Sequence, residues 1–271
     1  MMKKSVLLYI VGLLLLLAAC GPKEPEKLVL ATTTSTADSG LLEAILPDFE
    51  AKYNATVDVV AVGTGQAIAL GEAGDADVIL VHAREREDAF VADGYGINRQ
   101  DVMYNDFIIL GPADDPAGIR GLSDVAEAMA RIAAAQAPFI SRGDDSGTHI
   151  RELSLWEAAG IVPEGDWYQS IGQGMGATLT VADEQQAYTV SDRGTYLARL
   201  PEGLGLELLV QGDERLLNPY GVIAVNPELH PNVNADLAEK FIEWLISPET
   251  QAMIDGFQIN GQQLFFATAS Q

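Results

Sequence analysis

Hydroxyl side chains, glycines and one arginine collect at three places where a short apolar run turns into an amphipathic pattern. The first is Ala31-Thr32-Thr33-Thr34-Ser35-Thr36-Ala37-Asp38-Ser39-Gly40, with five hydroxyl residues in succession. One hydroxyl is enough to cap a helix, so the surplus points to donors for a ligand; a Ser/Thr-rich loop with a single cap is the plainer alternative. Val62-Gly63-Thr64-Gly65-Gln66-Ala67 is the second. Its glycines let backbone amides approach a bound group, although a tight strand-to-helix turn explains them equally well. It is no dinucleotide fingerprint, because Ile68 stands where the third glycine belongs. The third is Ser141-Arg142-Gly143-Asp144-Asp145-Ser146-Gly147-Thr148-His149. Arg142 offers a planar, charge-assisted fork to an oxyanion, and Ser146, Gly147 and Thr148 fall where a helix start leaves amides free. A simple surface pair of Arg142 with Asp144 or Asp145 is the competing reading.

Together the segments supply hydroxyls, amides and one guanidinium, with no lysine and no evident general base. That inventory suits a fully ionised tetrahedral oxyanion held by donors only. A carboxylate acceptor in the site, with Asp38 and Asp145 as the candidates, would favour a protonated ligand such as hydrogen phosphate. Catalysis finds less support. His82, His149 and His230 are scattered, no Gly-x-Ser-x-Gly elbow occurs, and Ser146 and His149 sit three apart at one helix start. No Gly-Lys pair exists for a nucleotide-phosphate loop. Neither a catalytic residue, a cofactor nor a cationic metal site is therefore expected, and turn or capping roles suit Asp75 and Asp77 better than cation ligation.

Elements must position these segments. Leu28–Thr32, Val57–Val62, Asp77–His82, Asp106–Leu110, Phe139–Ile140, Tyr188–Val190 and Val222–Val225 read as strands, mostly continuous apolar runs of the kind buried on both faces of a parallel sheet. Leu42, Ile45, Leu46, Phe49 and Tyr53 fall at helical spacing, as do Leu237, Phe241 and Leu245. Alternation of strands and helices predicts a doubly wound α/β architecture, in which ligands sit outside the carboxyl ends of strands. All three segments lie at such ends. The stretches 103–110 and 218–225 read as strands crossing between two lobes, lobe one being about 28–105 plus 220–271 and lobe two about 106–219. Trp156, Trp167 and Trp244 are assigned to packing.

The chain has 271 residues, and 39 acidic against 16 basic side chains give a formal net charge of −23. No basic stripe exists to neutralise phosphates, which excludes nucleic acid. Lys3 and Lys4 followed by the apolar run Val6 to Ala19 read as a signal peptide over residues 1–19, too short to span a bilayer comfortably. Leu17-Ala18-Ala19-Cys20-Gly21 resembles a lipobox, and Cys20 is the one cysteine of the chain. Cleavage there, with lipid on Cys20 and a tether over 20–27, predicts an extracytoplasmic protein held to the membrane by its lipid alone. Cleavage removes two lysines and no acid, taking the charge from −23 to −25. Taken naively that charge suggests a cation receptor, but the motifs point to an anion.

Several segments carry a wider resemblance: Thr32-Thr33-Thr34-Ser35-Thr36, Ala61 to Ala67, Gly74-Asp75-Ala76-Asp77-Val78, Ser141 to His149, Gly172-Gln173-Gly174-Met175-Gly176, Asp192-Arg193-Gly194-Thr195-Tyr196 and Asn218-Pro219-Tyr220-Gly221-Val222. By them the chain resembles the tungstate-binding components of ABC transporters (TupA type) over about residues 28–266. The resemblance implies a two-lobed periplasmic-binding-protein fold of type II, each lobe a mostly parallel sheet flanked by helices, with two crossover strands. It implies a monomer that clamps tungstate or molybdate between its lobes and delivers it to a permease driven by an ATPase subunit. The matching positions make Thr33, Thr34, Ser35 and Thr64 the contacts of lobe one, and Arg142, Ser146, Gly147 and Thr148 those of lobe two. Phosphate-binding relatives add an aspartate after the strand that corresponds to Val78–Val81, where this chain has His82 and Ala83. A receptor for another tetrahedral oxyanion (molybdate, phosphate or sulfate) is the runner-up, and a lipoprotein hydrolase stands behind it.

Overall fold

The computed structural model describes residues 24–144 and 146–268. The signal segment, Cys20 and Asp145 lie outside the described residues. The strands are β1 (Glu26–Thr33), β2 (Ala55–Val62), β3 (Val78–Val81), β4 (Gly96–Gly111), β5 (Phe139–Ser141), β6 (Tyr168–Ser170), β7 (Thr189–Asp192), β8 (Glu207–Val210), β9 (Leu217–Val225) and three two-residue strands after Phe257. The helices are α1 (Thr34–Asp38), α2 (Leu41–Tyr53), α3 (Thr64–Ala73), α4 (Arg84–Ala92), α5 (Val125–Ala135), α6 (Gly147–Ala158), α7 (Met175–Gln185), α8 (Arg193–Arg199), α9 (Ala235–Leu245) and α10 (Pro248–Gly256). Among the described residues no helix is long and apolar enough to cross a membrane.

Each expected strand is present, and each apolar helical pattern forms a helix. Parallel pairing joins β1 to β2 and β3, and β5 to β6. The whole is nevertheless a mixed sheet, because β4 runs antiparallel to β7, β8 and β9, and β9 antiparallel to β3. The cause is the path of the chain between two lobes. β4 and β9 cross side by side in opposite directions, from the pair Gly96↔Val225 to the pair Asp106↔Leu217.

Side-chain alternation explains why these strands read as continuous apolar runs. Leu28, Leu30, Val78, Leu80 and Val222 face one core with Phe49, Phe241 and Trp244. Ala31, Ile79, Val81 and Ile223 face a second core on the other side with Phe90. Phe107 and Ile109 enter a third core with Trp156 and Tyr188, while Ile108 and Leu110 enter a fourth with Leu179 and Leu197. Burying one such side chain is worth about 1.5–3 kcal/mol, so both lobes carry substantial cores of their own. The buried residues change core between Met103 and Phe107 on β4 and between Leu216 and Tyr220 at the start of β9. Asp77 accepts backbone N–H bonds from Val29 and Asn234, both at 2.6 Å, so its carboxylate ties the first strand to the start of α9.

Candidate functional site

The hydroxyl run divides by element. Thr32 ends inside β1 and donates to the Leu80 carbonyl at 2.7 Å, which ties two strands. Thr33 caps α1, accepting from the Thr36 backbone N–H, and its Oγ1 also meets Thr36 Oγ1 at 2.6 Å and Ser35 Oγ at 3.1 Å. Thr33 and Thr36 are buried, whereas Thr34 and Ser35 are exposed. Asp38 closes α1 and is exposed. Thr64 opens α3 half-buried, after Gly63, which supplies no side-chain cap. Its first amides thus have no capping side chain, and open space surrounds Gly63.

In the second lobe Arg142 leaves the end of β5. Its Nε and Nη2 donate to Asp144 Oδ2 at 3.2 and 2.5 Å, and its Nη1 donates to Thr148 Oγ1 at 3.4 Å. The other Asp144 oxygen accepts the Ser146 backbone N–H at 3.2 Å. Burial alone would raise the Asp144 carboxyl; the bonds from Ser146 and Arg142 outweigh it and hold the group below the usual range. Ser146 caps α6 by accepting from the His149 backbone N–H at 3.3 Å, so its hydroxyl is a cap rather than a nucleophile. Gly147 is exposed and Thr148 buried. The Arg142–Asp144 pair was one of two sequence readings. Its carboxylate lies where the guanidinium fork meets the amide at the start of α6.

The segment Gly172-Gln173-Gly174-Met175-Gly176 carried part of the resemblance, but the sequence reading gave this neighbouring helix start no role at the site. β5 and β6 pair from Phe139↔Tyr168 to Ser141↔Ser170, and the Gln173 N–H donates to the Arg142 carbonyl at 3.2 Å. This sets the start of α7 beside Arg142, again after a glycine, Gly174, with no side-chain cap. Gly143 makes the close approach possible. Its φ is +61°, and a Cβ there would lie 1.7 Å from Ser170 Oγ.

Strand register gathers the two lobes' strand ends at the crossover. Val81 pairs with Gly221, Asn105 with Asn218, Asp106 with Leu217, and Phe107 with Asp192. Asp106 is buried and engaged by Arg193 through Nε at 2.6 Å and Nη2 at 2.5 Å, so Arg193 has its carboxylate already. Beside it, His82 reaches Thr33 and Asn218 with its two ring nitrogens. Tyr220 packs against that ring, and burial pushes its phenol up. Asn105 was not anticipated as a site residue, and Tyr220 entered only within the resembling segment Asn218–Val222, with no role assigned to it. Among the described residues no hydrogen bond or ion pair joins Thr33, Thr34, Ser35 or Thr64 to Arg142, Ser146, Gly147 or Thr148. The two sets lie on either side of the β4–β9 crossover, and Asn260, donating to the Leu197 carbonyl at 2.7 Å, makes a further link across it.

Residues 21–249 match a family described as a PBP superfamily domain. The tungstate-binding protein TupA of Peptoclostridium acidaminophilum is 47% identical, with 98% of each chain covered. Among solved structures, a tungstate-binding TupA from Desulfovibrio alaskensis G20 superposes with a TM-score of 0.85 at 46% identity, covering 90% of this chain and 99% of that one. The structure of a tungstate ABC transporter from Geobacter sulfurreducens superposes with a TM-score of 0.74 at 55% identity, covering 87% of this chain and all of that one.

Proposed function

The chain belongs to the TupA-type substrate-binding proteins of ABC transporters, within the PBP superfamily, and from that premise we propose that it captures tungstate, with molybdate as a near-equivalent ligand. One observation carries the reading. The Arg142 fork and the start of α6 already hold an anion, the Asp144 carboxylate, by two guanidinium bonds and one amide bond. A tetrahedral oxyanion that takes that place meets the same donors, with Thr148 at hand. Thr33, Thr34, Ser35 and Thr64 supply the opposing donors from lobe one. Tungstate and molybdate are tetrahedral dianions of nearly one size, so this donor set serves both.

In this reading lobe one is 28–105 plus 220–271 and lobe two 106–219. The change of cores on β4 and at the start of β9 supports that division. Donors on both lobes make the closed form bind better than the open one, so ligand shifts the population toward closure. The closed monomer then docks on the permease, from a lipid anchor at Cys20, outside the cytoplasm. Calorimetry of ligand-free protein against tungstate, molybdate, sulfate, phosphate and divalent cations tests the reading. Tungstate and molybdate are expected to bind tightest; binding of cations alone, or of none of these ions, would refute it.

A further inference from the structure

The residue after β3 is a histidine that the donor set does not account for. His82 is half-buried and packs on Tyr220 with 4.7 Å between ring centroids. Its Nε2 lies 3.3 Å from Thr33 Oγ1, and its Nδ1 lies 3.2 Å from Asn218 Oδ1. Asn218 Nδ2 in turn donates to Asn105 Oδ1 at 2.7 Å, and these two residues are register partners across β9 and β4. One chain of contacts therefore runs from the cap of α1, through the imidazole, to the rung that joins both crossover strands.

The direction of these bonds follows from valence. Asn218 turns its NH₂ to Asn105, so its carbonyl oxygen faces His82 and can only accept; Nδ1 carries the proton. In a neutral ring Nε2 is then an acceptor facing Thr33. The Thr33 hydroxyl has one proton and two lone pairs, yet four partners: the Thr36 N–H, Thr36 Oγ1, Ser35 Oγ and His82 Nε2. One partner is surplus. The state of Nε2 decides whether the Thr33 proton points to the ring or is free for another acceptor.

We propose that His82 is a positioning residue which, holding the Thr33 hydroxyl on one nitrogen and the Asn218–Asn105 rung on the other, couples the lobe-one cradle to the lobe hinge. The inference rests on the oxyanion-receptor reading above. An anion beside Thr33 accepts a hydrogen bond from that hydroxyl, which keeps its proton, and Nε2 takes up a proton from solvent and donates it to the Thr33 oxygen in place of the bond it accepted. The ring is faced by Thr33 from β1 with Ser35 and Thr36 behind it, by Asn218 and Tyr220 from β9, and by Asn105 from β4 beyond Asn218. Tyr220 is the titratable one of these, and burial keeps it neutral. Desolvation lowers the His82 pKa, against the raising effect of its Asn218 bond, so the free protein holds it neutral at pH 7. Binding of a dianion and protonation of His82 then favour each other, and affinity rises as pH falls.

Histidine-selective NMR and calorimetry with micromolar tungstate between pH 7.5 and 5.5 test this. Saturating tungstate is expected to raise the His82 titration midpoint, and the parent to gain affinity severalfold over that range. His82→Phe keeps a ring on Tyr220 and removes both nitrogens. It is expected to bind about tenfold more weakly and without the pH slope, the loss of one hydrogen bond. A midpoint unmoved by tungstate, or His82→Phe with parental affinity and slope, overturns the proposal. Should that variant not fold, the midpoint in the parent decides alone. A parent that binds no oxyanion in the first titration overturns the receptor reading itself, and that result is separate from a parent that binds while His82 stays unchanged.

Discussion

Replacing Arg142 asks directly whether the pair it forms with Asp144 marks the ligand position. Hydrogen bonds to charged groups are worth about 1.5–3 kcal/mol each, so two from the guanidinium contribute about 3–6 kcal/mol to a bound oxyanion. Binding displaces Asp144 from the same fork, and with side chains 17% and 22% exposed that partly screened pair offsets about 1 kcal/mol. The net loss for Arg142→Ala is then about 2–5 kcal/mol, or roughly 30- to 4,000-fold in Kd. Arg142→Ala also leaves the Asp144 carboxylate facing the anion unpaired, so the double variant with Asp144→Ala should recover part of the loss. Asp144→Ala alone removes the competitor and should tighten binding about fivefold, the worth of one pair near 1 kcal/mol. Calorimetry at fixed salt with tungstate, repeated with molybdate, measures all three. Parental affinity in Arg142→Ala would remove the cradle from consideration. Weaker binding in Asp144→Ala would show that the carboxylate positions the guanidinium and does not compete for it.

Three other perturbations probe the turn, the core and the surface field. Gly143→Ala places a side chain at φ +61° against Ser170 Oγ; the left-handed strain of about 1–2 kcal/mol should lower Tm by roughly 2–8 °C, and Gly143→Ala with Ser170→Ala should recover only what the clash adds. Glu152 is buried, its Oε1 accepting from Tyr168 Oη at 2.8 Å and Trp156 Nε1 at 3.3 Å, and burial raises its carboxyl despite those bonds. Its folded pKa lies above the unfolded one, so its contribution to stability is present at low pH and lost as pH rises through the folded value. Thermal melts of Glu152→Gln should therefore fall less between pH 5 and pH 8 than those of the parent, and an unchanged slope would contradict this. Finally, the charge of −23 repels an approaching dianion, so stopped-flow tryptophan fluorescence should show association accelerating as salt rises from low ionic strength; slowing would mean that a positive local field dominates at range.

How far the sequence discloses this arrangement depends on the range of the contacts that decide it. The central strands are legible because a strand buried on both faces must be apolar throughout, as Val78–Val81 is. β6 is not, since Tyr168-Gln169-Ser170 is three residues long and mostly polar, and without it the start of α7 has no visible neighbour. β8 has the apolar run Leu208-Leu209-Val210 but only four residues, short enough to pass for part of a loop. The hydroxyl run is recognisable as a surplus, yet its assignment is not. Thr32 is structural and Thr34 is exposed because the strand ends and a helix begins between them. His82 stood out only as a departure from the phosphate-binding pattern. Its partner Asn218 is 136 residues away, and their meeting depends on β9 pairing with β3 in one register.

An acidic protein that holds an anion must separate what acts at long range from what acts at contact. Beyond about 8–10 Å the surface charge is screened at ordinary salt, so it governs approach and has little part in retention. At contact, Arg142 is already neutralised by Asp144, and exchange for a dianion leaves the fork with one negative charge in excess. No lysine stands in the donor set to balance it. The remainder falls to the backbone: α3 and α7 both begin after a glycine with no capping side chain, while α1 and α6 use a hydroxyl for their caps. Uncapped starts leave amides and a partial positive charge open to an anion. Of these two starts, one follows β2 and the other lies beside Arg142. On the proposed reading, a dianion held between them would draw both together, so the donors that balance its charge would be the same ones that favour closure.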